Sequence, residues 1–266
     1  MSGIRIARKI ISTLVKDRIH YPARLIIDTF AVIARCGLLL ILYAHVFRIN
    51  GGVINGTTFI FAAWSIFFYF SFSILRLRDI SRAIMQDVQS GTIEMLLSKP
   101  FSYLWYRACW QIGSGIYSFI TIFVVATIIL GFWIGFPSTM LVGVFIPTFT
   151  LTFLCGSVLS LLVYSAVGLL AFWMEDVNPV FWVVDKAVMI LGGSYLPVAL
   201  FPPLMFKLAL YSPFGATLFV SHTVSPSWQT TWTTLVGAQL FWIAIFGLVV
   251  YCMFERARRK VSINGG

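Results

Sequence analysis

From Cys109 to Met174 the chain carries no Asp, Glu, Lys or Arg. A helix needs about 20 apolar residues to cross the hydrocarbon core of a bilayer, and this stretch is several times that scale. Pro137-Ser138 near its middle is a turn signal. The stretch therefore reads as a hairpin of two long helices, at about 107–134 and 141–173. The rest of the chain agrees. Apolar types make up 59% and charged residues 11%, against about 45–50% and 25% in ordinary soluble domains. Mean hydropathy is +0.93. A soluble fold still needs a polar skin, and a disordered chain is polar, so both classes are excluded. A transmembrane barrel alternates apolar and polar residues, and these runs do not. The expected fold class is an all-α polytopic membrane protein.

Two more spans are expected upstream, at about 25–46 and 57–75, separated by the turn Asn50-Gly51-Gly52. Two lie downstream, at about 178–195 and 230–253. Six transmembrane helices place both termini on one side. Basic residues then gather on that side: Arg5, Arg8, Lys9, Lys16, Arg18 and Arg24 before span one; Arg76, Arg78, Arg82, Lys99 and Arg107 after span two; Arg256, Arg258, Arg259 and Lys260 at the end. Only Arg48 and Lys207 fall on the other. By the positive-inside rule both termini are cytoplasmic, in a plasma (inner) membrane. This topology accounts for the net charge of +10 without nucleic acid.

Three pieces lie outside the spans. Residues 1–23 hold an amphipathic stretch, with Ile6, Ile10 and Leu14 at i, i+4, i+8 and Arg5, Lys9 and Lys16 on another face. It reads as an interfacial elbow helix, or as a plain topogenic tail. The loop 76–102 is the longest on the cytoplasmic side. Ile80, Ile84 and Val88 share one helical face, Gly91 breaks the pattern, Ile93, Leu96 and Leu97 start another, and Pro100 ends it. Such a half-apolar unit wants a partner, and its acids Asp79, Asp87 and Glu94 favour a protein over anionic lipid. Residues 194–229 contain Pro197, Pro202, Pro203, Pro213 and Pro226 yet stay apolar. They read as an outer re-entrant segment between spans five and six, tolerated where protein or water covers its free backbone groups; the alternative is a seventh span.

Arg35 sits within span one, and Asp185 and Lys186 within span five. Charges there cost several kcal/mol unless paired or wet. They are functional candidates by default, with a structural pair such as Arg35–Asp185, or snorkelling by Lys186, as the alternative. Asp28, four residues after Arg24, is expected to pair near the interface. The aromatics Phe68, Phe72, Phe181 and Trp182 either line a pathway for a hydrophobic or cationic aromatic compound or pack. Cys36, Cys109, Cys155 and Cys252 fall in apolar stretches without a CxxC and read as buried hydrophobes. No phosphate loop, GxSxG or HExxH occurs, so no catalytic, metal or cofactor-binding residues are assigned and enzyme activity is not expected.

The segment from Gln86 to Phe101, QDVQSGTIEMLLSKPF, resembles the Gly-Thr-[Ile/Leu]-Glu-x-Leu-Leu-x-x-Pro motif of ABC-2 type permeases, the membrane subunits of ABC exporters. The segment 193–204, GSYLPVALFPPL, with Ser212-Pro213-Phe214 after it, resembles their outer segment. The resemblance covers essentially the whole of residues 1–266 as a single transmembrane domain. It departs at 87–90, Asp-Val-Gln-Ser, where many relatives carry an acidic-basic pair. It implies a permease subunit forming half of a translocation pathway, paired with a second ABC-2 permease as homodimer or heterodimer. ABC ATPase subunits would sit below, with ATP and Mg held in those partners. The loop helix would be the coupling helix, with Ile84, Asp87, Val88, Gly91, Thr92, Glu94 and Leu97 as its ATPase-coupling residues. The other readings are an ion-coupled secondary transporter using Arg35, Asp185 and Lys186, and a non-transporting membrane scaffold.

Overall fold

The computed structural model describes residues 3–20 and 22–264, with side chains described at 5–20, 23 and 25–260. Among these residues the chain is all-α apart from one two-residue hairpin. The helices are α1 (Gly3–His20), α2 (Pro22–Ile49), α3 (Phe59–Ser73), α4 (Asp79–Gln89), α5 (Thr92–Leu97), α6 (Tyr103–Ile134), α7 (Phe145–Leu169), α8 (Asn178–Leu191), α9 (Pro203–Tyr211), α10 (Pro213–Ala216) and α11 (Trp228–Asn264). A tight turn at Leu170–Phe172 prolongs α7.

Among the described residues four helices are long and apolar enough to cross a membrane: Leu25–Ile49 in α2, Tyr103–Ile134, Phe145–Phe172 and Trp228–Lys260 in α11. Their outward faces carry large exposed apolar side chains, among them Ile26, Phe30 and Leu38 on α2 and Phe132 on α6. Surfaces of that kind suit lipid, not water. The second half of α7 is different: from Leu159 to Leu169 every residue is buried or half-buried, whereas Ile146, Leu151, Leu154 and Val158 keep an exposed face on its first half.

The helices over the other two expected spans are short: α3 has 15 residues and α8 has 14. Both have a local cause. Asn55 and Gly56 adopt positive φ (49° and 72°), as the turn of a two-residue hairpin requires. They close Val53–Ile54 onto Thr57–Thr58 and delay the start of α3. At the other end the chain turns back at Arg76, also at positive φ. The end of α8 is set by Gly192 and Gly193, the latter at φ 84°. Ten residues of α3 are buried, from Ala62 to Phe72, so this helix is enclosed by its neighbours.

Two clusters dominate the interior. One surrounds Trp64, Phe67 and Phe68 of α3 with α2, α6 and the start of α7. The other surrounds α4, α5, the end of α7 and α8. Glycines on α6 and α7 let the linker and α4 approach closely. A Cβ on Gly168 would lie 2.8 Å from the Ser81 carbonyl oxygen, and one on Gly115 would lie 2.8 Å from the Leu75 carbonyl oxygen. The apolar side of α1 packs on α6, where Leu14 and Ile11 reach Gly113. The segment beyond α8 folds as α9, α10 and short turns. Gln239 of α11, fully buried, donates to the carbonyls of Ala216 (2.9 Å) and Thr152 (3.3 Å), fastening α10 to α7 and α11.

Gly168→Leu should lower the thermal midpoint of the detergent-solubilised protein sharply, because the added side chain meets α4 backbone, with overpacking costing about 1–3 kcal/mol or more. Gly37→Ala on α2 meets nothing within 4 Å and should be neutral or raise the midpoint slightly. Fluorescence-detected size-exclusion after heating compares the two.

Candidate coupling site between α3 and α6

The chain leaves α3 through a short linker, 74–78, which alternates buried and outward residues from Leu75 on. Leu75 and Leu77 are buried; Arg76 and Arg78 reach neighbouring helices. Arg76 meets Asp28 of α2, Nη2 to Oδ1 at 2.7 Å. Arg78 meets Asp185 of α8, Nη1 to the two carboxylate oxygens at 3.3 and 3.2 Å. Tyr164 of α7 donates to the same carboxylate at 3.1 Å. Burial works against the charge on Arg78, but the facing carboxylate outweighs it and holds its pKa above the usual value. Gln111 of α6 donates to the Arg76 carbonyl at 2.8 Å.

The next bond sits on α4 itself. Asp87 is buried and accepts from Arg107 of α6, Nε to Oδ2 at 2.6 Å, with a second contact from Nη2 to Oδ1. The Tyr103 hydroxyl donates to Asp87 Oδ2 at 2.6 Å. This bidentate fork is the strong form of an Arg–carboxylate pair. Gln89 at the end of α4 donates to the Glu175 carbonyl, between α7 and α8, at 2.7 Å. Loop 76–102 is thus fastened at separate points to α2, α6 and α8. The pairs are unequal. Removing one partner of Asp87 or Asp185 strands a buried charge at about 3–5 kcal/mol. The Arg76–Asp28 pair, with Arg76 40% exposed, is worth about 1 kcal/mol or less.

This geometry revises several expectations. Asp185 pairs with Arg78, not Arg35. Arg35 is exposed on α2 and makes no ion pair with the other described residues. Asp28 pairs with Arg76; the Arg24 side chain lies outside the described residues. Lys186 is exposed, 5.4 Å from the Trp182 ring centroid and 3.6 Å from the Met189 sulfur. The apolar face of α4 is already occupied: Ile84, fully buried, packs at Gly168 of α7. Val88, Thr92 and Leu97 are half-buried, and Asp87 is turned inward. What remains open runs from Gln86, Gln89 and Ser90, past Gly91 at φ 70° where α5 starts, through Glu94 and Met95 to 98–100. Met95 is 58% exposed.

The aromatics separate as well. Phe68 stacks on Phe123 at 6.0 Å and meets Phe149 at 5.0 Å, and Phe72 meets Phe153 edge-on at 5.5 Å. Phe181 is buried beneath Arg82, whose guanidinium carbon is 4.4 Å from the ring centroid. These three are packing residues. Trp182 is half exposed, with Arg82 and Lys186 on its ring. The clamping residues Arg78, Arg107, Tyr103 and Tyr164 were missed by sequence reading. The signal was there: an acid among apolar residues needs a cation, and cations flank the uncharged runs. No protein-family model matches the chain, and no curated protein matches it in sequence.

Asp185→Asn should destabilise the protein by several kcal/mol at most, seen as a lower thermal midpoint. The double replacement Arg78→Met with Asp185→Met should recover most of the loss, since no charge is then stranded. Arg35→Gln should leave the midpoint unchanged.

Proposed function

We propose that this chain is an ABC-2 type permease, the membrane subunit of an ATP-driven exporter that works with separate ATPase subunits. The observation that carries the reading is the α4–α5 unit. It bears Gly91-Thr92-Ile93-Glu94, it is bound by an ion pair to the membrane-length α6 while the linker before it is paired to α8, and it offers exposed residues around Glu94 and Met95. A lever of that kind serves a chain driven by something docked beneath it.

In this reading α3 and α8 complete six spans. The 15 residues of α3 rise about 22 Å, less than the hydrocarbon core, but α3 is enclosed by protein. Its irregular ends are then tolerated at membrane depth. α1 is the elbow helix, with Arg5, Arg8, Lys9 and Lys16 exposed for headgroups. α9 and α10 form the re-entrant outer segment, and both termini are cytoplasmic in a plasma (inner) membrane. ATP and Mg bind in the partner. Nucleotide binding draws two ATPase subunits together, the docked tips of two permeases move with them, and the clamps carry that motion to α2, α6 and α8. The device is a two-state bundle biased by a ligand's differential affinity. Export is inferred from the resemblance. Asp185, the carboxylate an ion-coupled carrier would titrate, is already engaged by Arg78 and Tyr164, which weighs against that alternative.

Tagged protein drawn from native membranes in mild detergent should bring a P-loop ATPase with it. Glu94→Arg and Met95→Arg, both at exposed positions, should reduce that recovery about tenfold or more, a loss of about 1.4 kcal/mol, while leaving the permease folded. Recovery of the chain alone, where other ABC complexes stay whole, would favour the scaffold or the ion-coupled carrier.

A further inference from the structure

A groove of about 530 Å³ lies where the end of α5 and the start of α6 meet the distal half of α11. That volume is in the range of small-molecule sites. Its lining is mixed in chemistry: along the α11 wall Arg258 stands eleven residues, about 16 Å, from Gly247, and exposed Lys99 with Ser102 lines it from the α5–α6 side. Glu255 also lines the groove, 3.6 Å from Arg258, and offsets part of its charge. Ser102 starts the 32-residue α6 without making a side-chain cap, so the first backbone N–H groups of that helix add to the positive groups. Val250 and Gly247 of α11 form an apolar floor, and Tyr251, 64% exposed, forms a wall. Space above Gly247 is open, since a Cβ there meets nothing within 4 Å. Leu248, next to Gly247 on α11, is a further exposed apolar residue. It lies where α11 changes from apolar to basic sequence.

A free anion would use only the positive groups and a neutral apolar molecule only the floor. The arrangement fits a ligand with an anionic head and an apolar tail. We propose that this groove is a binding site for an anionic phospholipid, its phosphate between Lys99, Arg258 and the start of α6, its acyl chain along Gly247 and Tyr251. A cationic pocket at the membrane edge of a helical bundle is the physical setting for such recognition. The site is separate from the exposed tip at Glu94 and Met95, so it does not depend on the identity of a docked partner.

The test is native mass spectrometry of the detergent-purified protein, titrated separately with phosphatidylglycerol, phosphatidylcholine and inorganic phosphate. One phosphatidylglycerol should be retained per chain, and neither of the others. Lys99→Gln and Arg258→Gln should each weaken retention about fivefold. Gly247→Leu should weaken it with all charges in place, and its open surroundings keep the fold intact. Arg5→Gln with Arg8→Gln, on the exposed face of α1, should leave the retained lipid in place. Equal retention of phosphatidylcholine, equal binding of inorganic phosphate, or retention unaffected by both the charge variants and Gly247→Leu would each overturn the proposal. So would equal loss in the α1 control, which would mean general attraction to a basic surface.

Discussion

A carboxylate removed from water is costly unless a cation and hydrogen-bond donors face it. Asp87 and Asp185 are both in that position, and the packing around α4 depends on how each is satisfied. Arg107 and Tyr103 reach Asp87 from α6. Arg78 reaches Asp185 across to α8, with Tyr164 joining from α7. Neither carboxylate can give up its partner without a large penalty, so the linker after α3, α4 itself, α6 and α8 are held in register. The apolar contact of Ile84 with Gly168 fills the space between these bonds.

The same bonds separate what is rigid from what is open. Once Ile84 and Asp87 are turned inward, the surface left for contact is the polar edge of α4 at Gln86 and Gln89 and the stretch from Ser90 onward that carries Glu94 and Met95. A partner gripping Glu94 and Met95 would pull on a lever tied to α2, α6 and α8. Coupling in such a bundle needs discrete arrangements rather than gradual bending, because packed interiors resist continuous deformation. The segment beyond α8 is tied down by neutral hydrogen bonds, Gln239 to the Ala216 carbonyl and the Tyr43 hydroxyl to the Tyr195 carbonyl. Those are individually weaker than the charged pairs.

Much of the architecture was legible because lipid-facing helices write themselves as uncharged runs. The hairpin of α6 and α7, the turn at Pro137 and the helical nature of 3–20 can be read from charge and periodicity alone. The lengths of α3 and α8 could not, because each is ended by a local conformation: the Asn55-Gly56 turn and the Gly192-Gly193 pair. Asn55-Gly56 between Val-Ile and Thr-Thr was a readable hairpin signal, masked by the strongly apolar sequence of α3 directly after it. The site was legible as a segment but not as contacts. Periodicity correctly grouped Ile80 and Ile84 on one face, yet cannot say whether that face looks outward or into the same chain. The pairing of Asp185 with Arg78, 107 residues apart in sequence, is a fact of tertiary structure. Spacing along one helix favoured Arg24 for Asp28, while the fold offers Arg76.

α4 is mechanically part of the helical bundle, while α5 beyond it is anchored through its buried Ile93 and Leu96, with Glu94 and Met95 open. Amide hydrogen exchange of the detergent- or nanodisc-reconstituted protein tests this directly. Amides of 79–89 should exchange slowly, on the scale of the end of α7, while those of 91–98 should exchange much faster. Equal and rapid exchange across 79–98, with α7 protected, would contradict it, for the loop would then be a flexible connector and its ion pairs would not hold it to the helices.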